Sequence, residues 1–265
     1  MKTILITGST DGIGKLTAIK LAKKGHQVLL HGRNEKKLRQ TINEIKELSG
    51  NDTIFGVISD FSDFKSIETM IQEIKTNYQK IDILINNAGV YTSRIQKNEQ
   101  NLDMRFAVNY FAPYVLTENL LPLLKQSDAP RVINLSSAAQ ATVSIPALKG
   151  NKNVTESNAY AQSKLALTMW SFVFAKKHPE INTIAVNPGS LLNTKMANEA
   201  FDNHWSPADK GATILYELTL SNAFAESNGK YFDNDKGDFN KAHDDAYNTE
   251  KVATLIDVTK NILSV

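Results

Sequence analysis

Between a short apolar run at residues 3–7 and a segment of helical period at 13–24, the chain reads Gly8-Ser9-Thr10-Asp11-Gly12-Ile13-Gly14. Nothing else in the sequence narrows the possible folds as much. Three glycines at this spacing let a backbone turn tightly from strand into helix and approach a bound group closely. The free N–H groups at the start of the following helix, with the positive end of its dipole, face the same place. A pyrophosphate suits both features. Thirteen glycines in 265 residues would give this spacing by chance roughly 0.03 times per chain.

The rest of the chain supplies the units such a turn needs. Short β-branched runs at 27–30, 53–58, 81–85, 131–135, 181–187 and 230–232 alternate with helical periods at 35–48, 65–78, 102–125, 160–177, 207–220 and 249–263. That alternation predicts an α/β, doubly wound, seven-stranded parallel sheet with helices on both faces. Pro113 and Pro122 predict a kink or break in the helix at 102–125, and Ser206 is the expected cap of the helix at 207–220. No repeat or linker divides residues 1–265, so a single dinucleotide-binding domain is expected.

Composition bounds the partners. Thirty Lys and Arg against 28 Asp and Glu leave +2, so no broad field exists to hold nucleic acid or an anionic membrane. Any bound anion must be gripped locally. The absence of cysteine excludes disulfides, thiolate metal sites and cysteine nucleophiles. No run reaches the roughly 18 apolar residues of a membrane span, and the first run is too short for a signal segment. A cytoplasmic location follows as the expectation. The segment 233–245 is acidic, but its glycine is out of register for a calcium loop; a solvated loop without metal is expected.

Charge also bears on the dinucleotide. The second strand ends His31-Gly32-Arg33-Asn34, with no carboxylate to accept a ribose 2′-hydroxyl and with a guanidinium suited to a phosphate. NADP(H) is therefore favoured over NAD(H).

Tyr-x-x-x-Lys occurs twice, as Tyr160/Lys164 and Tyr247/Lys251. Context separates the two. Tyr160 is expected to open a helix on the carboxyl-end side of the sheet, where open α/β folds bind ligands, just after Ser136-Ser137. Tyr247 lies beyond the last strand and is expected to pack or cap the terminal helix. Residues four apart share a helical face. Bringing a phenol from about 10 to neutrality takes about 4 kcal/mol, and a cation about 4 Å away supplies about that much at an effective dielectric of about 20.

Taken together, these motifs resemble those of the short-chain dehydrogenases/reductases. Thr7-Gly8 through Gly14, Asn86-Asn87-Ala88-Gly89, Asp60 past the third strand and Pro188-Gly189 past the sixth all fall where that family has them. The resemblance implies a Rossmann fold and hydride transfer between nicotinamide and the carbonyl or alcohol of a small molecule. It implies that Gly8, Ser9, Thr10, Gly12, Ile13 and Gly14 hold the phosphates and that Arg33 and Asn34 meet the 2′-phosphate. Asp60 and Phe61 would hold the adenine, and Asn87, Ala88, Gly89, Pro188, Gly189 and Thr194 the rest of the cofactor. Ser137 would orient the substrate oxygen, with Ser136 the alternative by register. Tyr160 would donate the proton, Lys164 would lower its pKa and hold the ribose, and Asn109 would support a water relay.

The 23 residues from Ser137 to Tyr160 and the ending Gly229-Lys-Tyr-Phe232 resemble the retinol-dehydrogenase-like and WW-domain-oxidoreductase-like branch. Segment 138–158 reads as a polar loop. Segment 190–205, with Leu191, Leu192, Met196, Phe201, His204 and Trp205, matches the family's substrate loop and suggests a hydrophobic substrate; Tyr91 and Arg94 are candidates to line the same pocket. Relatives commonly dimerise through the helices after the fourth and fifth strands, which makes a homodimer possible. A non-catalytic dinucleotide sensor or scaffold on the same fold is the contrasting class, and an acid–base isomerase a third. The set Asn109, Ser137, Tyr160 and Lys164 favours the enzyme, since a sensor has no need of it.

Overall fold

The computed structural model describes residues 1–201 and 206–263. From the amino end, β1 (Thr3–Ile6), α1 (Gly12–Lys23), β2 (Gln27–Gly32), α2 (Glu35–Ser49), β3 (Ile54–Ile58), α3 (Phe64–Asn77) and β4 (Ile83–Asn86) alternate as the hydrophobic periods predict. The second half carries β5 (Arg131–Leu135), α6 (Ile145–Leu148), α7 (Glu156–Lys177), β6 (Asn182–Asn187), α8 (Lys195–Phe201), α9 (Ala208–Leu220), β7 (Lys230–Asp233), β8 (Asp238–Phe239) and α10 (Thr249–Leu263). The sheet runs β3-β2-β1-β4-β5-β6-β7-β8. Strand order therefore reverses between β1 and β4, and a crevice opens beyond their carboxyl ends.

Alternation along each strand feeds two cores. Leu5, Leu29, Leu84 and Val132 face a layer that includes α3, α5 (Ala112–Leu124), α7 and α10, whereas Ile4, Ile6, Ile83, Ile85 and Ile133 face α1, α2 and α9. The seven-stranded expectation falls short by one. β8 pairs antiparallel with β7, and its Phe239 ring packs edge-on against Phe232 at 5.2 Å. A two-residue strand is too short to show a period of its own, and the Phe239 ring also meets Phe224 at 6.0 Å.

The proline-bearing helix neither breaks nor simply bends. It starts as α4 (Met104–Phe106), widens into a π-helical segment (Ala107–Phe111) and resumes as α5 (Ala112–Leu124). Within the wide turn, Ala112 N donates to Ala107 O, five residues back. Pro113 has no N–H to give to the Asn109 carbonyl four residues before it, and the extra residue accommodates that gap.

Two helix starts differ from expectation. α7 begins one turn early because the Thr155 hydroxyl caps it, accepting from Asn158 N at 3.3 Å; Tyr160 thus sits in the second turn. Pro207, rather than Ser206, takes the cap position of α9. Ser206 is engaged instead in a bridge to Leu192, its carbonyl accepting from Asn193 N at 2.8 Å. Segment 138–158, expected as loop, contains α6 and the first turn of α7.

α7 is buried at ten consecutive positions from Gln162 to Ser171. Such a helix has no polar face, because β5, β6, α4, the π segment and α10 surround it. α10 adds Leu255 to this core, and its Thr259 hydroxyl bonds the buried Tyr110 hydroxyl at 2.7 Å. Among the described residues, no helix is long and apolar enough to cross a membrane.

Candidate active site

The glycine turn is shaped by close contact with the loop after β4. Gly8 and Gly12 have φ of 62° and 52°, a left-handed backbone that side chains disfavour. A Cβ on Gly14 would lie 2.5 Å from Asn87 Nδ2 and 2.7 Å from Gly8 O. That space is needed: Asn87 Nδ2 donates to Thr7 O and Gly8 O at 2.8 and 3.0 Å. The Thr7 hydroxyl accepts from Asn87 N and Ala88 N, so the two loops are tied into one cradle. A bare cradle at the start of α1 fits a pyrophosphate.

Two residues that sequence reasoning passed over complete this half. Lys37, in the first turn of α2, pairs with Asp11 at 2.5 Å and holds that carboxyl below its ordinary range. A charge spacing across 26 residues was the only signal for it. His31 is the second. Gly8 N donates to its Nδ1 at 3.0 Å, which leaves the proton on Nε2 to donate to Ser59 O at 3.0 Å. Its ring stacks on buried Phe61 at 4.2 Å. Burial pushes the imidazole down to about 4, so it is neutral. Arg33 is exposed at the end of this wall. Asn34 is exposed too, but its side-chain oxygen accepts from Lys37 N and caps α2. The Asp60 carboxylate accepts from the Ser62 backbone and hydroxyl.

Across the crevice, the proton-handling candidates converge. Ser136 points inward, its hydroxyl 2.6 Å from Thr168 Oγ1. Ser137 is partly exposed and its hydroxyl bonds that of Tyr160. The Tyr91 ring lies 4.8 Å from the Tyr160 ring. Lys164 Nζ donates to Leu135 O at 2.7 Å and stands 5.5 Å from the Tyr160 ring centroid. Asn109 spends its side chain on pinning: Oδ1 accepts from Val90 N at 2.7 Å, and Nδ2 donates to Val90 O and Ser163 Oγ. Gly89 sits between them, since a Cβ there would meet Asn109 Oδ1 at 3.3 Å and Lys164 Nζ at 3.5 Å. The second pair has other partners: Tyr247 accepts from Ala242 N, and Lys251 pairs with Asp245.

The electrostatics depart from the simple charge pairing. Burial raises the Tyr160 phenol, against the lowering effect of its bond to Ser137. Burial also brings Lys164 down to about 8. The ammonium is engaged with the Leu135 carbonyl, and Lys164 is not among the groups that lower the phenol.

The loop after β6 lies over the cradle. The Thr194 methyl would be 3.7 Å from a Cβ on Gly12, and the Met196 methyl 3.7 Å from one on Gly89. The Thr194 hydroxyl accepts from Ala197 N and so caps α8. His204 and Trp205 lie outside the described residues. The loop's entry, Pro188-Gly189-Ser190, is clamped by the turn between β7 and β8: Asn234 Nδ2 donates to Pro188 O at 2.8 Å, and Asp235 accepts from Ser190 N at 2.9 Å and Ser190 Oγ at 2.5 Å. The acidic turn is thus a clasp rather than a merely solvated loop.

Residues 2–205 match the family model for short chain dehydrogenases. The chain is 32% identical to retinol dehydrogenase 12 of Mus musculus over 243 residues, which is 87% of this chain and 77% of that one. It is 33% identical to polyprenol dehydrogenase of Homo sapiens over 210 residues, 76% of this chain, and spans 63% of that relative's length. Among solved structures, a short chain dehydrogenase from Escherichia coli CFT073 complexed with NADPH superposes with a TM-score of 0.72 at 29% identity, covering 88% of this chain and 96% of that one. The chain belongs to the short-chain dehydrogenase/reductase family of NAD(P)-dependent oxidoreductases. Within it, the relatives named as retinol dehydrogenases set it in the retinol-dehydrogenase-like branch.

Proposed function

We propose that this chain reduces the carbonyl, or oxidises the alcohol, of a small hydrophobic substrate with NADP(H), and that residues 1–265 act as one dinucleotide-binding unit. The observation that carries this reading is the meeting of the Ser137 and Tyr160 hydroxyls beside Lys164, across the crevice from the bare glycine cradle. The bare glycine turn at the start of α1 would hold the pyrophosphate, with the Gly8, Ser9 and Gly12 amides already bonded inside the turn and its wall; Asp60 would border the adenine and Arg33 would grip the 2′-phosphate. Lys37 neutralises Asp11, so the acidic side chain in the turn does not repel that phosphate. Asn87, Ala88, Pro188, Gly189 and the Thr194 backbone border the nicotinamide end. Bound there, a reduced cofactor would supply the hydride that the carbonyl carbon takes up.

The chain's own residues manage the proton. Ser137 donates to the substrate oxygen and orients it, while the Tyr160 hydroxyl gives that oxygen its proton as the alcohol forms. Lys164, near 8, carries or releases a proton close to neutral pH and favours the phenolate that remains. The Asn109 carbonyl, whose usual partner four residues on is Pro113, would accept from a water leading to solvent. Leu192, Met196 and Tyr91 give the substrate side its apolar character, and the loop excludes water when it covers the cleft.

The test is loss of absorbance at 340 nm with NADPH and a panel comprising a medium-chain aldehyde, an aryl ketone and an ortho-quinone. Turnover of any one supports the enzyme; tight NADPH binding with no turnover of any marks a sensor. For cofactor choice, Arg33→Asp is expected to raise KM for NADPH by a factor of about 10–100, as loss of a charged bidentate contact does, with little change for NADH. Equal effects on both cofactors would sink the NADP(H) assignment.

A further inference from the structure

The carbonyl of Ser137, two residues past the end of β5, receives two side-chain hydrogen bonds. The Tyr231 hydroxyl, on β7, donates to it at 3.0 Å, and Gln140 Nε2 donates at 2.9 Å. Gln140 Oε1 accepts in turn from His243 N at 3.1 Å, so both routes lead to the C-terminal segment. A carbonyl oxygen has two lone pairs, and both are used here. Tyr231 is only 4% exposed, and β7 is registered on β6 by the pairing of Ala185 with Tyr231. Its position is therefore set by the sheet. Burial, with Asp233 nearby, raises the phenol, so the hydroxyl keeps its proton and remains a donor.

The effect is felt at the other end of the serine. Fixing the peptide plane after Ser137 fixes the direction of its side chain, whose Oγ accepts from Ala139 N at 3.1 Å and meets the Tyr160 hydroxyl. We propose that Tyr231 is a positioning residue: with Gln140, its hydroxyl holds the Ser137 peptide so that Oγ stays within reach of both the substrate oxygen and Tyr160. The proposal rests on the functional reading of Ser137 given above. A tyrosine serving only to pack the core would need its ring and not its oxygen.

Tyr231→Phe keeps the ring and removes the donor. With the most rapidly reduced carbonyl of the panel, kcat is expected to fall about tenfold, since a small misplacement of a reacting group is costly in rate. NADPH affinity, read by fluorescence titration, should stay within about twofold. Gln140→Met should act in the same direction, and because both donors share one carbonyl the double variant should depart from the product of the two single losses. Ser137→Ala is measured alongside. If Ser137→Ala is inactive and Tyr231→Phe has the wild-type kcat, the positioning role is overturned. A lower melting temperature or weaker NADPH binding with unchanged kcat would overturn it equally, as the mark of a packing role. Should Tyr231→Phe not fold, Gln140→Met decides by the same two readouts. A fully active Ser137→Ala, or a wild type that turns over no carbonyl, defeats the functional reading first and this one with it.

Discussion

Tyr160→Phe is expected to lower kcat by a factor of about 10³, within the range associated with loss of a positioned proton donor, while NADPH affinity stays within about twofold. The separation follows from where the residue stands. Its ring packs beside Tyr91, and phenylalanine keeps that contact. Its hydroxyl meets Ser137 on the substrate side, so only the proton is lost. Single-turnover mixing of the variant with NADPH and a reducible carbonyl, next to a fluorescence titration of NADPH alone, resolves chemistry from binding. Substantial residual turnover would remove Tyr160 from its role.

Acid should weaken the fold through His31, and the size is calculable. The folded protein holds this imidazole neutral down to about 4, against an ordinary value of 6.5 in the unfolded chain. Between those values the unfolded chain binds a proton that the folded one refuses, so stability falls as pH falls through that window and the loss ends below about 4. At about 1.4 kcal/mol per pH unit, the gap amounts to about 3 kcal/mol. Urea unfolding at pH 7 and pH 4.5 should show a steeper loss for the wild type than for His31→Gln, which cannot titrate. Parallel losses in the two proteins would show that His31 does not cause it. The same proton would occupy Nδ1, the acceptor for Gly8 N–H, so NADPH binding should weaken over the same range.

The alternation of strands and helices was legible because each period is local. Leu38, Thr41 and Ile45 bury one stripe of α2, and Ile67, Met70, Ile71 and Ile74 one stripe of α3, at the spacings their sequence shows. Ten buried positions in a row left α7 without such a stripe, yet its length and the residues around it still marked a helix. The glycine turn and the Tyr160/Lys164 spacing were legible for the same reason: their geometry is contained within one turn or one helical face. What could not be read depends on partners far along the chain. His31 sits in a run of strand residues, and its bond to Gly8 spans 23 positions. The link from Tyr231 to Ser137 spans 94. The π-helical segment lies between these cases. Pro113 announced a disturbance, but its form, an extra residue in the turn, goes with packing against α7.

The enclosure of α7 bears on assembly. A helix that two copies share must offer a stripe of apolar surface, and α7 has already given its outward side to α10 and the segment before it. Here part of the wall behind the tyrosine-bearing helix is built by the last segment of the same chain, so the integrity of the site should be sensitive to changes in α10 and the turn before it.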